Sequence, residues 1–275
     1  MNQRTELRRM LVIGGSDSSG GAGIQADIKT GAALGVDVST AITAITAQNS
    51  LGVHAIEPVP VDMLKAQLAS VCSDIPPHAV KIGMLYDAQR VSTVGSAIRN
   101  YNLRNVVCDP VLVSTSGTTL LDDEGRAVLL SILPLFTLFT PNAIEAAELT
   151  KTSVQNSSDL LAAGRILLEF GASAVLLKGG HLGGDHSTDI LLQRQTPEPM
   201  YFSNPRIDTR NDHGTGCVLS SAIAAGLAVN LDPAEAVSRG CAFVSSALRR
   251  SSHLWSGSGR GSMDLLHSGV VSNDE

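Results

Sequence analysis

The 275-residue sequence predicts an α/β fold: a three-layer α/β/α sandwich with a mainly parallel central sheet. Short apolar runs alternate with segments of helical periodicity, and strands that alternate with helices form parallel sheets covered on both faces. Aromatic residues are few (5 Phe, 3 Tyr and 1 Trp), so aliphatic side chains must supply the core. No linker precedes residue 251. We therefore expect a single domain over 1–250 and a Ser- and Gly-rich tail at 251–275 that is partly loose.

The first half of the chain contains four predicted strands and three predicted helices. Apolar runs predict strands over 11–13, stopping at Gly14-Gly15, and over 37–46, 80–83 and 106–108. Apolar residues at helical spacing predict helices over 23–34 and 61–73. Asp87 is positioned to cap a third helix, which carries Val91, Val94 and Ile98 on one face.

The second half of the chain repeats this alternation. It predicts strands over 135–139, 174–177, 189–193 and 200–207. It also predicts helices over 122–133, 158–170, 215–229 and 233–250, of which the last two are rich in Ala.

Charge and cysteine content exclude several classes of function. The net charge is −6, from 20 basic and 26 acidic residues, and no basic block is present, so we expect no nucleic-acid partner. No apolar stretch reaches the length of about 20 residues that a membrane-spanning helix needs, so we expect no membrane contact. The four cysteines are far apart and form no CxxC pair. They are typical of reduced thiols in a cytoplasmic protein.

Glycine-rich and polar segments follow the predicted strands. They occupy 14–23, 47–52, 109–118, 140–145 and 178–187. Ligands of parallel α/β sheets bind outside the carboxyl ends of the strands, so we expect these segments to form one site.

The first of these loops, 14–23, has three interpretations. The first is a nucleotide-binding loop. Against it, the segment lacks the Gly-Lys-Ser/Thr of a Walker loop, and its nominal dinucleotide fingerprint begins eight residues after the predicted strand. A flexible connector is the second possibility. Five glycines and several serines at a strand end favour the third, a small-molecule loop with Asp27 on the helix that follows.

The loop before the helix at 215–229 predicts an anion site. Free N–H groups and the helix dipole attract negative charge at a helix start, and Gly214 and Gly216 let a phosphate approach the backbone around Thr215. Cys217 lies in the first turn, where the helix N-terminus is expected to lower the pKa of a thiol. It is therefore a candidate base or nucleophile, although a small buried residue is the alternative.

Seven segments in the same order resemble the hydroxymethylpyrimidine/phosphomethylpyrimidine kinase family of thiamine biosynthesis, within the ribokinase-like superfamily. They span about 12–250 and read VIGGSDSSGGAGIQADIKT (12–30), TAITAQNSLGV (43–53), KIGML (81–85), DPVLVSTSG (109–117), TPNAIEAAEL (140–149), LLKGGHLGGD (176–185) and DTRNDHGTGCVLSSAIAAGLA (208–228). The resemblance implies a ribokinase-like fold.

The same resemblance implies an ATP-dependent kinase that phosphorylates 4-amino-5-hydroxymethyl-2-methylpyrimidine and then its monophosphate. Gln48 would pair with the aminopyrimidine edge, as a carboxamide does with adenine, and Asp27 would accept a further hydrogen bond. Gly15, Met84 and Val111 would surround the ring. The family is often dimeric, so a homodimer is expected.

The resemblance also implies how ATP and magnesium would be held. Lys178 and Asn142 would lie at the nucleotide, and Asp109 and Glu145 would hold Mg²⁺ directly or through water. Gly214, Thr215 and Gly216 would stabilise the transferring phosphoryl group. Cys217 would orient or deprotonate the substrate hydroxyl. Glu145 could instead be only a favourable acid at a helix start.

Two alternatives to this function are open at the level of sequence. Pyridoxine and pyridoxal also carry a hydroxymethyl group on a heteroaromatic ring, so a pyridoxine/pyridoxal kinase is the nearest rival. The other is a pyrimidine-binding relative that keeps the fold and lacks catalysis, against which the intact 214–217 loop, Lys178 and Glu145 argue.

Overall fold

The computed structural model describes residues 6–114, 117–180, 182–254 and 257–266. Within these residues nine strands form one sheet. They are β1 (Arg9–Asp17), β2 (Asp37–Asn49), β3 (Gly52–Pro58), β4 (Ala79–Ile82), β5 (Val106–Cys108), β6 (Leu138–Phe139), β7 (Ala174–Leu177), β8 (His186–Gln193) and β9 (Thr196–Pro205).

The helices are α1 (Gly23–Ala33), α2 (Val61–Asp74), α3 (Ala88–Asn100), α4 (Asp123–Ser131), α5 (Ala143–Thr150), α6 (Ser157–Glu169), α7 (Thr215–Ala228) and α8 (Pro233–Ser251). A 3₁₀ turn covers Leu133–Leu135. None of the helices in the described ranges is long and apolar enough to cross a membrane.

The sheet has the order β3-β2-β1-β4-β5-β6-β7-β8-β9. The six central strands of the sheet, in the order β2-β1-β4-β5-β6-β7, pair in parallel. Strand β3 at one edge and strands β8 and β9 at the other pair antiparallel. Every residue of β4, β5 and β7 is buried, as expected of parallel strands covered on both faces. The predicted α/β sandwich with a mainly parallel sheet is confirmed.

Two separate cores show how the helices cover the sheet. One core joins side chains of α2, α3, α4, α5 and α6 to one face of the strands. The other joins α1, α7 and α8 to the opposite face. Helix α7 is buried around most of its circumference, because it lies between the sheet and α8.

Several of the sequence-based strand assignments differ from the structure. Strand β1 does not stop at Gly14-Gly15 but continues to Asp17, with a register shift between Gly14 and Ser16. The absence of a side chain permits this path, since a Cβ on Gly15 would lie 2.9 Å from Sδ of Met84. The strand predicted over 135–139 is reduced to β6, because the 3₁₀ turn at Leu133–Leu135 includes Pro134. The edge strand β3 was not predicted.

Part of the C-terminal segment packs against the loops of the sheet edge. The N–H groups of Gly259 and Arg260 donate to Oγ and O of Ser50, at 3.2 and 3.0 Å. Met263 and Leu265 are buried against α1 and α7. Residues 257–266 therefore continue the packed structure beyond α8, and residues 267–275 lie outside the described part of the chain.

Candidate active site

The carboxyl ends of the parallel strands bring the predicted site residues to one edge of the sheet. The N–H of Asp109 donates to the last carbonyl of β4 at 2.8 Å, and the N–H of Thr140 donates to the last carbonyl of β5 at 2.9 Å. The N–H of Lys178 donates to O of Pro141, just beyond β6, at 2.9 Å. These bonds extend the ladder past the strands. They hold the side chains of Asp109 and Lys178 at a cleft of about 890 Å³, with Thr140 buried beside them.

An ion pair lies on the floor of this cleft. Nζ of Lys178 donates to Oδ1 of Asp109 at 2.5 Å and lies 4.0 Å from Oε2 of Glu145. Thr140 also donates to Oδ1 of Asp109, at 3.2 Å. Burial lowers the pKa of Lys178, but the charges of Asp109 and Glu145 outweigh it and leave the pKa raised, so the ammonium group stays charged.

Glu145 combines a structural bond with an unusual charge state. Its carboxylate accepts from the N–H of Asn142 at 2.8 Å, while Asn142 Oδ1 accepts from the N–H of Glu145 at 2.9 Å. This capping box starts α5 and aims both side chains into the cleft. Burial raises the pKa of Glu145 to about 7, although Lys178 opposes the shift. The predicted role of Glu145 at Mg²⁺ stays a prediction.

The N-terminus of α7 faces the same ion pair. Gly214 is the N-cap residue with φ of +83°, and a Cβ there would lie 2.1 Å from O of Gly21. A Cβ on Gly216 would lie 3.3 Å from both Asp109 Oδ2 and Lys178 Nζ. The first N–H groups of a helix have no intrahelical acceptor, so those of α7 open toward a buried lysine. The arrangement can bind a phosphate group.

Cys217 lies in the first turn of α7, but its predicted electrostatics are wrong. Burial raises the pKa of the thiol to about 11, and the charge of Asp27 adds to this effect. The ammonium group of Lys81 and the N–H of Gly23 act in the opposite direction and do not compensate. The helix N-terminus therefore does not produce a low pKa here, because loss of solvation outweighs it.

Asp27 lines the cleft as part of a buried ion pair. Its two oxygens accept from Nζ of Lys81 at 2.9 and 2.8 Å, and Oδ1 also accepts from Ser221 at 2.6 Å. Burial lowers the pKa of Lys81, but the hydrogen-bonded carboxylate of Asp27 together with the charges of Cys217 and Asp109 outweighs burial and raises it overall. Asp27 therefore joins α1, β4 and α7 below Cys217. Its predicted hydrogen bond to a substrate stays a prediction.

The other end of the cleft is assembled from β1, β2 and the loops after β4 and β5. Met84 is buried with Ala44, and Val111 packs against them. Gly15 passes directly over the sulfur of Met84. The amide of Gln48 lines the same cleft. The structure thus brings the predicted ring-binding residues together in a mainly apolar pocket with one carboxamide.

Known proteins share the sequence and the fold of this chain. A sequence profile of the family described as phosphomethylpyrimidine kinase matches residues 17–264. The chain belongs to the phosphomethylpyrimidine kinase family. The family and the kinase class predicted from the sequence motifs are thereby confirmed.

Relatives of this phosphomethylpyrimidine kinase family member include named enzymes and solved structures. The hydroxymethylpyrimidine/phosphomethylpyrimidine kinase of Rhizobium meliloti is 44% identical over 259 residues, which cover 94% of this chain and 96% of that protein. The phosphomethylpyrimidine kinase structure from Clostridium difficile has a TM-score of 0.76 at 38% identity, covering 88% of this chain and 100% of the other. The Staphylococcus aureus pyridoxal kinase with AMP-PCP and pyridoxal has a TM-score of 0.86 at 30% identity, covering 97% and 96%.

Three residues of this family member's cleft were not predicted from the sequence. Lys81 lies in a fully buried strand, and a lysine inside an apolar run needs a buried carboxylate, which is a signal the sequence does contain. Asp17 and His213 form a contact between loops that are 196 positions apart. No periodicity or motif spacing predicts that contact.

Proposed function

We propose that this cleft transfers the γ-phosphoryl group of ATP to 4-amino-5-hydroxymethyl-2-methylpyrimidine and then to the resulting monophosphate. One observation carries the proposal. The glycines at the start of α7 adjoin the Asp109–Lys178 ion pair, while the Gln48 amide and the Met84 pocket line the same cleft. A phosphate site and a heteroaromatic pocket therefore open into one space.

The phosphoryl group would be held between α7 and β7. Lys178 supplies a charge that remains positive despite burial, and the N–H groups after Gly214 supply hydrogen-bond donors. Phosphoryl transfer passes through a loose transition state, so positioning and electrostatic stabilisation provide most of the catalysis. In the transfer, the substrate oxygen bonds to the γ-phosphorus as the bond from that phosphorus to the bridging oxygen of ADP breaks.

Cys217 would take the proton of the substrate hydroxyl in the first transfer. Its thiol has a pKa of about 11, so the thiolate that can accept the proton forms only a small fraction at neutral pH. The first transfer should therefore accelerate with pH. The second transfer uses an ionised phosphate as acceptor and requires no base.

The donor set at Asp109 and Glu145 suits Mg²⁺. Magnesium prefers oxygen ligands and usually keeps several waters, binding through one or two carboxylates and substrate phosphates. The hydrogen bond from Ser220 to Asp109 Oδ2 is long, at 3.5 Å, so this oxygen retains capacity for a cation. Bound there, the ion would neutralise charge on the phosphates.

Pyridoxal is a second candidate substrate. The likeness to the Staphylococcus aureus pyridoxal kinase extends over nearly the whole of both chains, so the two clefts share a scaffold. Gln48 favours the aminopyrimidine, because a carboxamide matches a neighbouring donor and acceptor.

Product analysis tests the proposal. The protein is incubated with ATP, Mg²⁺ and hydroxymethylpyrimidine, and the products are followed over time by mass spectrometry. We expect the monophosphate to appear first and the diphosphate later. Accumulation of the monophosphate alone would restrict the proposal to the first transfer, and the absence of any pyrimidine phosphate would refute it.

A further inference from the structure

Three polar side chains, from the ends of β1 and β2 and from the loop before α7, meet beside the substrate pocket. Nε2 of His213 lies 3.0 Å from Oδ2 of Asp17 and 3.1 Å from Nε2 of Gln48, whose Oε1 lies 3.3 Å from Oγ1 of Thr46. A half rotation exchanges the amide oxygen and nitrogen, so their hydrogen-bond partners decide which atom faces the histidine. The backbone of Gln48 is fixed separately, because Oγ of Ser18 donates to its carbonyl at 2.7 Å and accepts from its N–H at 2.8 Å. The variable element is therefore the rotation of the Gln48 amide.

Asp17 determines which ring nitrogen of His213 is a hydrogen-bond donor. Burial alone would raise the pKa of Asp17, but hydrogen bonds from His213, Ser19 and Ala22 outweigh it and hold this pKa well below its usual range. The carboxylate is therefore ionised and can only accept. A neutral imidazole has one donor and one acceptor nitrogen, so Nε2 of His213 must carry the proton that faces Asp17.

The histidine in turn selects one orientation of the Gln48 amide. A protonated Nε2 cannot accept a hydrogen bond, so the Gln48 atom beside it must be the carbonyl oxygen. The alternative orientation would place two N–H donors 3.1 Å apart and leave the Gln48 N–H without an acceptor on the histidine. Leaving such groups unpaired in a partly buried site carries a free-energy penalty.

Thr46 selects the same orientation independently. Its hydroxyl has one proton, which Oγ1 donates to the carbonyl of Ser16 at 2.9 Å. The lone pairs of Oγ1 remain, and Oγ1 lies 3.3 Å from the second amide atom of Gln48. That atom is therefore best satisfied as the amide nitrogen, which donates to Thr46. His213 and Thr46, which contact different atoms of the carboxamide, thus favour the same orientation of the amide.

We infer that Asp17, His213 and Thr46 are positioning residues that lock the Gln48 carboxamide in the one orientation that matches an aminopyrimidine edge. The inference rests on the proposed function, in which Gln48 reads that edge. With the hydroxymethyl group directed at the α7 loop, the order of donor and acceptor along the ring is fixed. A rotated amide would then oppose donor to donor and acceptor to acceptor. Fixing the amide before the substrate binds reduces the conformational entropy that is lost on binding.

The position of His213 adds a second consequence. It directly precedes Gly214, the N-cap residue of α7, and its own N–H donates to O of Gly261 at 3.1 Å. His213 therefore connects Gln48, which would bind the pyrimidine ring, to the start of α7, which would hold the phosphoryl group.

The test compares two substrates in several variants. The substrates are 4-amino-5-hydroxymethyl-2-methylpyrimidine and its analogue that lacks the 4-amino group, and the readout is the ratio of their kcat/KM values. We expect Gln48→Ala to abolish the discrimination and His213→Ala to lower it by about tenfold, the usual cost of a mispaired polar contact. His213→Gln should restore it, since its amide can donate from the place of Nε2. His54→Ala, at an exposed site on β3, is the control and should match the wild type.

The outcomes separate the inference from the proposed function. If His213→Ala lowers kcat/KM equally for both substrates and leaves the ratio unchanged, the histidine supports only the loop and the inference is wrong. If His213→Gln behaves like His213→Ala, donation from the place of Nε2 is not what matters, which also overturns it. If the wild type does not phosphorylate the aminopyrimidine at all, the proposed function fails first.

Discussion

The charge state of Glu145 provides a quantitative test of the site's electrostatics. Its side chain is 7% exposed and shares Lys178 with Asp109. Replacing Glu145 with Gln removes the ionisable group but keeps an amide oxygen that can accept from the N–H of Asn142, so the capping box of α5 survives. The substitution therefore isolates the cost of holding a carboxylate in this position.

The expected size of the effect follows from the pKa of Glu145. Burial raises it from the usual 4.5 to about 7. The native protein therefore binds the Glu145 proton more tightly than the unfolded chain. The corresponding stabilisation is fully present below pH 4.5 and is lost as pH rises through 7. Each tenfold difference in proton affinity corresponds to about 1.4 kcal/mol, so the loss amounts to roughly 3 kcal/mol. Glu145→Gln should lack this loss.

The measurement is the free energy of unfolding in urea at pH 5, 6, 7 and 8, for both proteins without ATP or Mg²⁺. Relative to the wild type, Glu145→Gln should gain about 2.5 kcal/mol between pH 5 and pH 8. Glu169→Gln, at an exposed site on α6, is the matched control and should follow the wild type. A constant difference between Glu145→Gln and the wild type at all four pH values would refute the reasoning.

Further predictions concern the phosphoryl-transfer residues. Cys217→Ala should slow the first transfer more than the second in single-turnover assays, and the wild-type first transfer should accelerate with pH toward the thiol's pKa of about 11. Equal losses in both transfers, or a flat pH profile, would exclude the base role. Gly214→Ala should reduce kcat by about 100-fold, because its Cβ would lie 2.1 Å from O of Gly21 and displace the donors of α7. A near-normal kcat would contradict this. Lys178→Met should lower the free energy of unfolding at pH 8 by about 3–5 kcal/mol, because it leaves Asp109 buried without its cation. A loss below about 1 kcal/mol in urea titrations would show that the pair is not needed for stability.

The convergence of the site could be predicted from sequence because the sheet is parallel. Asp109 and Lys178 each follow a short apolar strand directly, and carboxyl ends of neighbouring parallel strands meet at one edge. Gly214 and Gly216 precede an Ala-rich helix, which predicts an anion site without any knowledge of the fold. Local patterns are therefore sufficient to predict the phosphoryl end of the cleft.

The electrostatics could not be predicted in the same way. The pKa of Cys217 depends on burial and on Asp27, which lies 190 positions earlier in the chain on another helix. A helix start taken alone predicts a lowered pKa, and only the packed structure reverses the sign. The contact of Asp17 with His213 likewise depends on the way the loop after β1 meets the start of α7.

The edge strand β3 and the packed C-terminal segment at 257–266 also could not be predicted from the sequence pattern. Strand β3 has seven residues, all half-buried or exposed and without strict alternation, so its sequence signal is weak. The packing of residues 257–266 depends on Ser50, more than 200 positions away, and its Ser- and Gly-rich composition alone predicts a loose segment.

The most direct test of the proposed substrate compares kcat/KM for hydroxymethylpyrimidine, its monophosphate and pyridoxine in one coupled ATPase assay. If the Gln48 carboxamide reads an aminopyrimidine edge, both pyrimidines should exceed pyridoxine by at least about tenfold, the discrimination expected from one well-made polar contact. Equal or greater kcat/KM with pyridoxine would contradict the assignment of the pocket. It would favour a pyridoxine/pyridoxal kinase on the same scaffold.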